Sequence, residues 1–237
     1  MASSLGAEAP AGPASDHSVL RAVASREDWA AVRALRFGAL ARGGDVPACA
    51  VPAYGDEHDA MAGSITYLLL DRGRAIGSTR YIHSGAGSPL PAIETFRAEL
   101  DPGLTAARAV EASLTVIDAP ADRAAAMLRL FKVHMTACAA LEAEWLLAAV
   151  RETEMGFYRR VFDMEILTGA LRCPGLAMPR VLMGLAWRER AAALLRRLPM
   201  LAASGSDLRR FAALAAAAPP DEACRPPLRA AAGDACG

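Results

Sequence analysis

Between the first helix of this chain and its long apolar central strand lies a β-hairpin, and that placement excludes a doubly wound α/β sheet. Residues 65–70 (Ile-Thr-Tyr-Leu-Leu-Leu) and 75–83 read as strands, and Asp71-Arg72-Gly73 between them is a turn sequence. Upstream, a short strand over 19–24 runs into Ser25, an N-cap with Glu27 and Asp28 in the first turn, where the helix dipole favours acids. The helix that follows repeats Trp29, Val32, Leu35 (or Arg36) and Leu40 at helical intervals and ends at Gly43-Gly44. Residues 43–63 form a polar loop containing Asp56-Glu57-His58-Asp59.

Downstream, a loop over 85–91 and a helical turn over 94–100 precede the central strand, 109–117. Pro120 introduces a long helix over 121–141. A strand over 145–150, a helix around Tyr158 and strands over 165–172 and 180–186 complete the series. The order is β-α-β-β-β-α-β-α-β-β, which predicts an α/β domain over 18–187 with a mixed sheet flanked by helices.

Composition narrows the classes of function. The 237 residues hold one sizeable domain plus an appendage. Basic and acidic residues number 26 each, so no global charge calls for nucleic acid. The tail, 188–237, has eight arginines against five acids. There Trp187, Ala191, Leu194, Leu195 and Leu198 share a helical face and a second short helix runs over 207–217. Such a tail either caps the domain or lies on a membrane surface or an acidic carrier protein. Residues 1–17 and the last Pro-, Ala- and Gly-rich stretch read as disordered. The five cysteines are odd in number and never closely spaced, and the four histidines have no metal-binding spacing, so neither a disulfide framework nor a metal site is expected. With no readable secretory signal and no bilayer-length apolar run, a cytoplasmic chain is expected.

A few charged residues stand in apolar company. Arg80 interrupts an apolar strand, where an unpaired charge is costly, so it needs a carboxylate, with Glu111 and Asp59 as candidates. Glu111, between Val110 and Ala112, poses the same problem, and burial would raise its pKa. Asp56 to Asp59 reads either as a solvated loop or as a ligand site, and Arg33 as exposed unless engaged. The Tyr158 segment alone is an amphipathic helix with Phe157, Val161 and Phe162 inward. Cys138 reads as a core residue.

The strand over 145–150 followed by Gly156-Phe157-Tyr158-Arg159-Arg160-Val161-Phe162 resembles the closing motif of the GNAT N-acyltransferase superfamily, and the element order agrees with that fold. A narrower resemblance, over residues 19–187, is to the autoinducer synthase branch: acyl-homoserine-lactone synthases and long-chain N-acyl amino acid synthases. It rests on Arg33 with Phe37 four residues on, on Asp56 and Asp59, on Gly77-Ser78-Thr79-Arg80, and on Glu111 in Val110-Glu111-Ala112-Ser113. Where that branch usually has an arginine three residues after the glutamate, this chain has Leu114, which leaves the broader acyltransferase reading.

The resemblance implies transfer of an acyl group from acyl carrier protein or acyl-CoA to the amine of an amino acid or related small molecule, with no permanently bound cofactor. Amide formation from a thioester needs a neutral amine, a stabilised oxyanion and a protonated thiol. Glu111 would take the amine proton and Tyr158 would protonate the departing thiolate. Arg33, Phe37, Asp56, Asp59 and Arg80 would bind the substrate. Backbone N–H groups near Val116 would meet the oxyanion. The stretch from Ile117 to Arg123 has no glycine loop for pyrophosphate, so Asp118, Arg123 and the start of the following helix would serve the donor. The alternatives are a GNAT acetyltransferase using acetyl-CoA and a catalytically silent domain that binds acyl thioesters.

Overall fold

The structure, a computed structural model, describes residues 18–46, 53–87, 89–118 and 123–216. The expectations for 1–17, for Pro120 at the head of the long helix and for the last stretch of the tail lie outside the described residues. The elements are β1 (Ser18–Ala22), α1 (Arg26–Arg42), β2 (Ser64–Asp71), β3 (Arg74–His83), α2 (Pro91–Phe96), α3 (Pro102–Ala106) and β4 (Ala109–Ile117). They continue with α4 (Arg123–Ala140), β5 (Trp145–Val150), α5 (Glu152–Phe162), β6 (Glu165–Leu171), β7 (Arg180–Ala186), α6 (Trp187–Arg197) and α7 (Gly205–Ala216). The short α3 is an addition to the expected order. Asp101 caps it by accepting the Gly103 N–H at 2.7 Å, and Pro102 begins it.

Local chemistry places the boundaries. Ser25 Oγ accepts the Asp28 N–H at 3.1 Å and starts α1. The β2–β3 turn puts both Arg72 (φ 48°) and Gly73 (φ 81°) in the left-handed region, which suits the right-handed twist of a two-residue hairpin. The seven strands form one sheet in the order β1-β2-β3-β4-β5-β7-β6, antiparallel throughout except for the parallel β4–β5 pair. This is the mixed, helix-flanked sheet expected.

Strand alternation assigns the two faces. Leu68 packs with Trp29 and Val32 of α1, whereas Leu69 packs with Ala126 and Leu130 of α4. Ile82, Leu147 and Leu182 meet Ile93 and Phe96 of α2. Tyr81, Val110, Leu146 and Met183 build the main core with Phe131, Tyr158 and Phe162. The α6–α7 segment closes this core: Leu194, Leu201 and Phe211 are buried in it, and Phe211 stacks on Tyr81 with ring centroids 5.7 Å apart. No helix among the described residues is long and apolar enough to cross a membrane.

One irregularity opens the sheet. In the β3–β4 pairing, Arg80 faces Ser113 but Ser78 faces Val116, so β4 holds one extra residue. Leu114 sits at this bulge with φ 48°. As a result Ser113 and Leu114, consecutive in sequence, both turn to the α1 side: Ser113 bonds Arg80, and Leu114 packs with Phe37 and Leu40. β4 pairs with β5 only as far as Ala112 opposite Ala148, although the two strands continue to Ile117 and Val150. The diverging ends leave a cleft.

Candidate active site

The cleft is a cavity of about 1040 Å³ lined by β4 from Glu111 to Ile117, by Ala149 and Val150 of β5, and by Phe157 and Tyr158 of α5. Leu40 and Arg42 of α1, Asp56 to His58, Ala92 and Glu94 of α2, and Arg123 and Met127 of α4 complete much of its wall. Glu111, Asp56, Arg80, Val116, Arg123 and Tyr158 therefore share one cavity, as the sequence reading required. Arg33, Phe37, Asp59 and Asp118 are not among its lining residues.

At one end lies a buried four-residue ion network. Arg80 engages Asp56 through Nη1 and through Nη2 (3.2 Å to Oδ2), Asp59 Oδ1 at 3.0 Å, and Ser113 Oγ through Nε at 3.0 Å. Asp59 also accepts Arg36 Nη1 at 2.9 and 2.7 Å, and Arg36 Nη2 reaches Thr66 Oγ1 at 3.3 Å. Burial works against all of these charges, but each is offset. Asp56 and Asp59 hold the Arg80 guanidinium well above its ordinary pKa, and the arginines hold both aspartates below theirs. Asp59 is saturated by two guanidiniums at 2% side-chain exposure, so it is closed to a substrate ammonium; Asp56, at 19%, reaches the cavity. The partner of Arg80 is thus the aspartate pair, and Glu111 is not bonded to it.

Arg36, not Arg33, is the buried arginine of α1, at 0% exposure. It continues the stripe Trp29, Val32, Arg36 and Leu40, a signal present in the sequence. Arg33 is half-buried, with Nη2 lacking a partner among the described residues. Phe37 packs with Leu40, Val46, Tyr54 and Leu114 beside the cleft.

Glu111 is buried under α2, and its Oε2 accepts the Ala92 N–H at 2.9 Å. Desolvation raises its pKa, against the Ala92 bond and the Arg80 charge. His58, set aside in the sequence only as a metal ligand, lines the cavity with Nδ1 3.7 Å from Asp56 Oδ2, and this interaction holds its pKa above the ordinary value. Tyr158 packs edge-on against Phe131 (centroids 5.5 Å) and is nearly buried; desolvation pushes its hydroxyl far above the ordinary phenol range, so it stays protonated.

Toward α4, the Asp118 N–H bonds the Ile76 carbonyl at 2.8 Å. Strand alternation then directs the Val116 N–H at β3 as well, and turns those of Thr115 and Ile117 to the splayed side. The donors near Val116 are therefore its neighbours. The Asp118 side chain lies outside, paired with Arg42 at 3.2 Å. Residues 119–122, where phosphate contacts were expected, are outside the described residues, and Arg123 is exposed at the cavity wall.

The far rim is tied down by a second buried ion pair missed in the sequence. Arg180 Nη2 bonds Asp45 Oδ2 at 2.7 Å, and Asp45 Oδ1 accepts the Met178 N–H at 3.3 Å. Cys173 lies half-buried on this rim, and Cys138 is fully buried in the core.

Residues 32–186 match the family model described as N-acyl amino acid synthase FeeM. Among solved structures, the chain is similar to FeeM, an N-acyl amino acid synthase from uncultured soil microbes, with TM-score 0.63 and 17% identity over 76% of this chain and 97% of that one. It is similar to the AHL synthase LasI, with TM-score 0.53 and 14% identity over 70% and 89%. A third is BjaI, a CoA-dependent acyl-homoserine lactone synthase with SAM and isopentyl-CoA, with TM-score 0.52 and 15% identity over 83% and 99%. At these identities the three likenesses are of fold. No curated protein sequence gives a significant match. With a family model spanning β4, β5 and every described cleft residue from Ala39 to Arg180, the chain belongs to the N-acyl amino acid synthase FeeM family and is an acyltransferase of GNAT fold.

Proposed function

We propose that the chain transfers a long acyl group from the pantetheine thioester of acyl carrier protein or acyl-CoA to the amine of an amino acid or related small molecule. The observation that carries this reading is the splayed β4–β5 cleft, with buried Glu111 and protonated Tyr158 opening on the same cavity. The cavity, with Leu40, Leu114, Met127, Val150 and Phe157 in its wall, is far larger than an acetyl group needs.

Asp56 attracts the acceptor's ammonium, and Glu111 removes its proton directly or through one water. The neutral nitrogen adds to the thioester carbonyl, and N–H groups on the open side of β4 at Thr115 and Ile117 stabilise the oxyanion. Collapse breaks the C–S bond, Tyr158 gives its proton to sulfur, the second nitrogen proton passes through water to the tyrosinate, and the amide, the free thiol and the proton held by Glu111 leave. Arg80 and Arg36 keep Asp56 and Asp59 in place. Arg123 lies where a donor phosphate would enter.

Thiol release with long-chain acyl carrier protein, long-chain acyl-CoA and acetyl-CoA, each with a mixture of amino acids, tests the reading. Amine-dependent release from a long-chain donor is expected. Release from acetyl-CoA alone would replace it with the acetyltransferase reading.

A further inference from the structure

On the α4 side of the cleft, three polar side chains form a chain that the chemistry above leaves unused. Thr115 Oγ1 lies 2.6 Å from Thr79 Oγ1, which lies 2.8 Å from His134 Nε2. Thr79 and His134 are fully buried; Thr115 is half-buried and lines the cavity. The His134 ring meets Phe131 edge-on, with centroids 5.3 Å apart, and its Nδ1 is buried with no hydrogen-bond partner among the described residues.

The unpartnered nitrogen sets the direction of the chain. Burial lowers the His134 pKa to about 3, so the ring is neutral and carries one N–H. A proton on Nδ1 would orphan a buried donor, whereas a proton on Nε2 leaves only a lone pair unpaired, which costs less. Nε2–H therefore donates to Thr79, and the Thr79 hydroxyl donates to Thr115. The hydrogen of Thr115 is left over, on a residue that faces the cavity. Thr115 directly follows the bulge at Leu114, where β4 begins to part from β5.

We propose that the Thr115 hydroxyl donates a hydrogen bond to a carbonyl oxygen of the acyl donor's pantetheine arm, with Thr79 and His134 as positioning residues that fix its direction. The proposal rests on reading the cleft as a thioester site. It names chemistry common to coenzyme A and carrier protein, since both end in the same diamide arm. No bond is made or broken in this contact; it is a binding interaction.

The test is calorimetric binding of S-decyl pantetheine, a thioether that cannot transfer its chain. Thr115→Val keeps the side chain's shape and should weaken binding about fivefold, the worth of one neutral hydrogen bond. Thr115→Ser should bind as the parent does. Thr79→Val, which removes the donor that fills the Thr115 lone pair, should weaken binding by a smaller factor while its melting profile stays cooperative. If the parent binds and Thr115→Val binds equally well, or Thr115→Ser loses as much as Val, the proposal falls and the thioester reading stands. Unchanged binding in Thr79→Val overturns the positioning role. If the parent does not bind the thioether, the proposal and the thioester reading fall together.

Discussion

Replacing Asp59 by Asn removes the charge that joins Arg36 to Arg80. The loss falls mainly on Arg36, whose guanidinium is fully buried and has Asp59 as its carboxylate, with Thr66 Oγ1 at 3.3 Å as its other bond. Arg80 keeps Asp56. Removing one partner of a buried pair costs about 3–5 kcal/mol, and because Asn retains one carbonyl acceptor the low end, about 3 kcal/mol, is expected. For a domain of this size that is a fall in Tm of about 6–12 °C. Circular dichroism melts at neutral pH read it directly. The deficit has a pH signature. Burial would raise the Asp59 pKa, but Arg36 and Arg80 hold it below the ordinary value. A depressed folded pKa contributes stability above the unfolded pKa of about 4 and loses it as the pH falls through the folded value. The gap between parent and variant should therefore narrow in acid. Replacing both partners, Arg36→Met with Asp59→Leu, should recover part of the loss. A melt shifted by less than 2 °C, or a gap that widens in acid, would refute the network as a structural element.

Three further outcomes follow from the geometry. Glu111→Gln should lower turnover by roughly 10²- to 10⁴-fold, read as thiol release. Since desolvation raises the Glu111 pKa, its stabilising contribution belongs to low pH and is lost as pH rises through the folded value; the Gln variant's advantage in Tm over the parent should grow between pH 4 and pH 8. Tyr158→Phe should cut kcat about a hundredfold, with KM for the donor little changed; an unaltered kcat would remove Tyr158 as the acid. Phe211→Ala should cost about 3 kcal/mol of stability, because Phe211 is buried against Tyr81 in the main core; a neutral effect in urea titration would show that α7 is only loosely applied.

The strands and long helices were legible because their apolar periodicity is local. Residues 109–117, 145–150 and 180–186 are strands with the expected ends, and Ser25 caps α1 as its chemistry predicts. The Asp101-Pro102 start of α3 was also readable but lies in a stretch with little periodicity. In the site, the need of Arg80 for a carboxylate was legible from burial alone, and of the two candidates Asp59 is the one that bonds it. The choice between Arg33 and Arg36 turned on motif spacing rather than on the apolar stripe, and the stripe was the better guide. The bulge at Leu114 had no local mark, since a left-handed leucine is imposed by the surrounding sheet. Nor could sequence join Asp45 to Arg180, or Thr79 to His134, because those pairings exist only once the sheet has formed.

On the proposed mechanism, Glu111 and Tyr158 act across one cleft to make an amide from a long-chain thioester. Mass spectrometry of a reaction holding long-chain acyl carrier protein or acyl-CoA and an equimolar mixture of amino acids tests it most directly. The parent should form an N-acyl amino acid or related amide, and Glu111→Gln should form strongly reduced amounts of it. Recovery of only the free fatty acid, or an undiminished amide yield from Glu111→Gln, would contradict it.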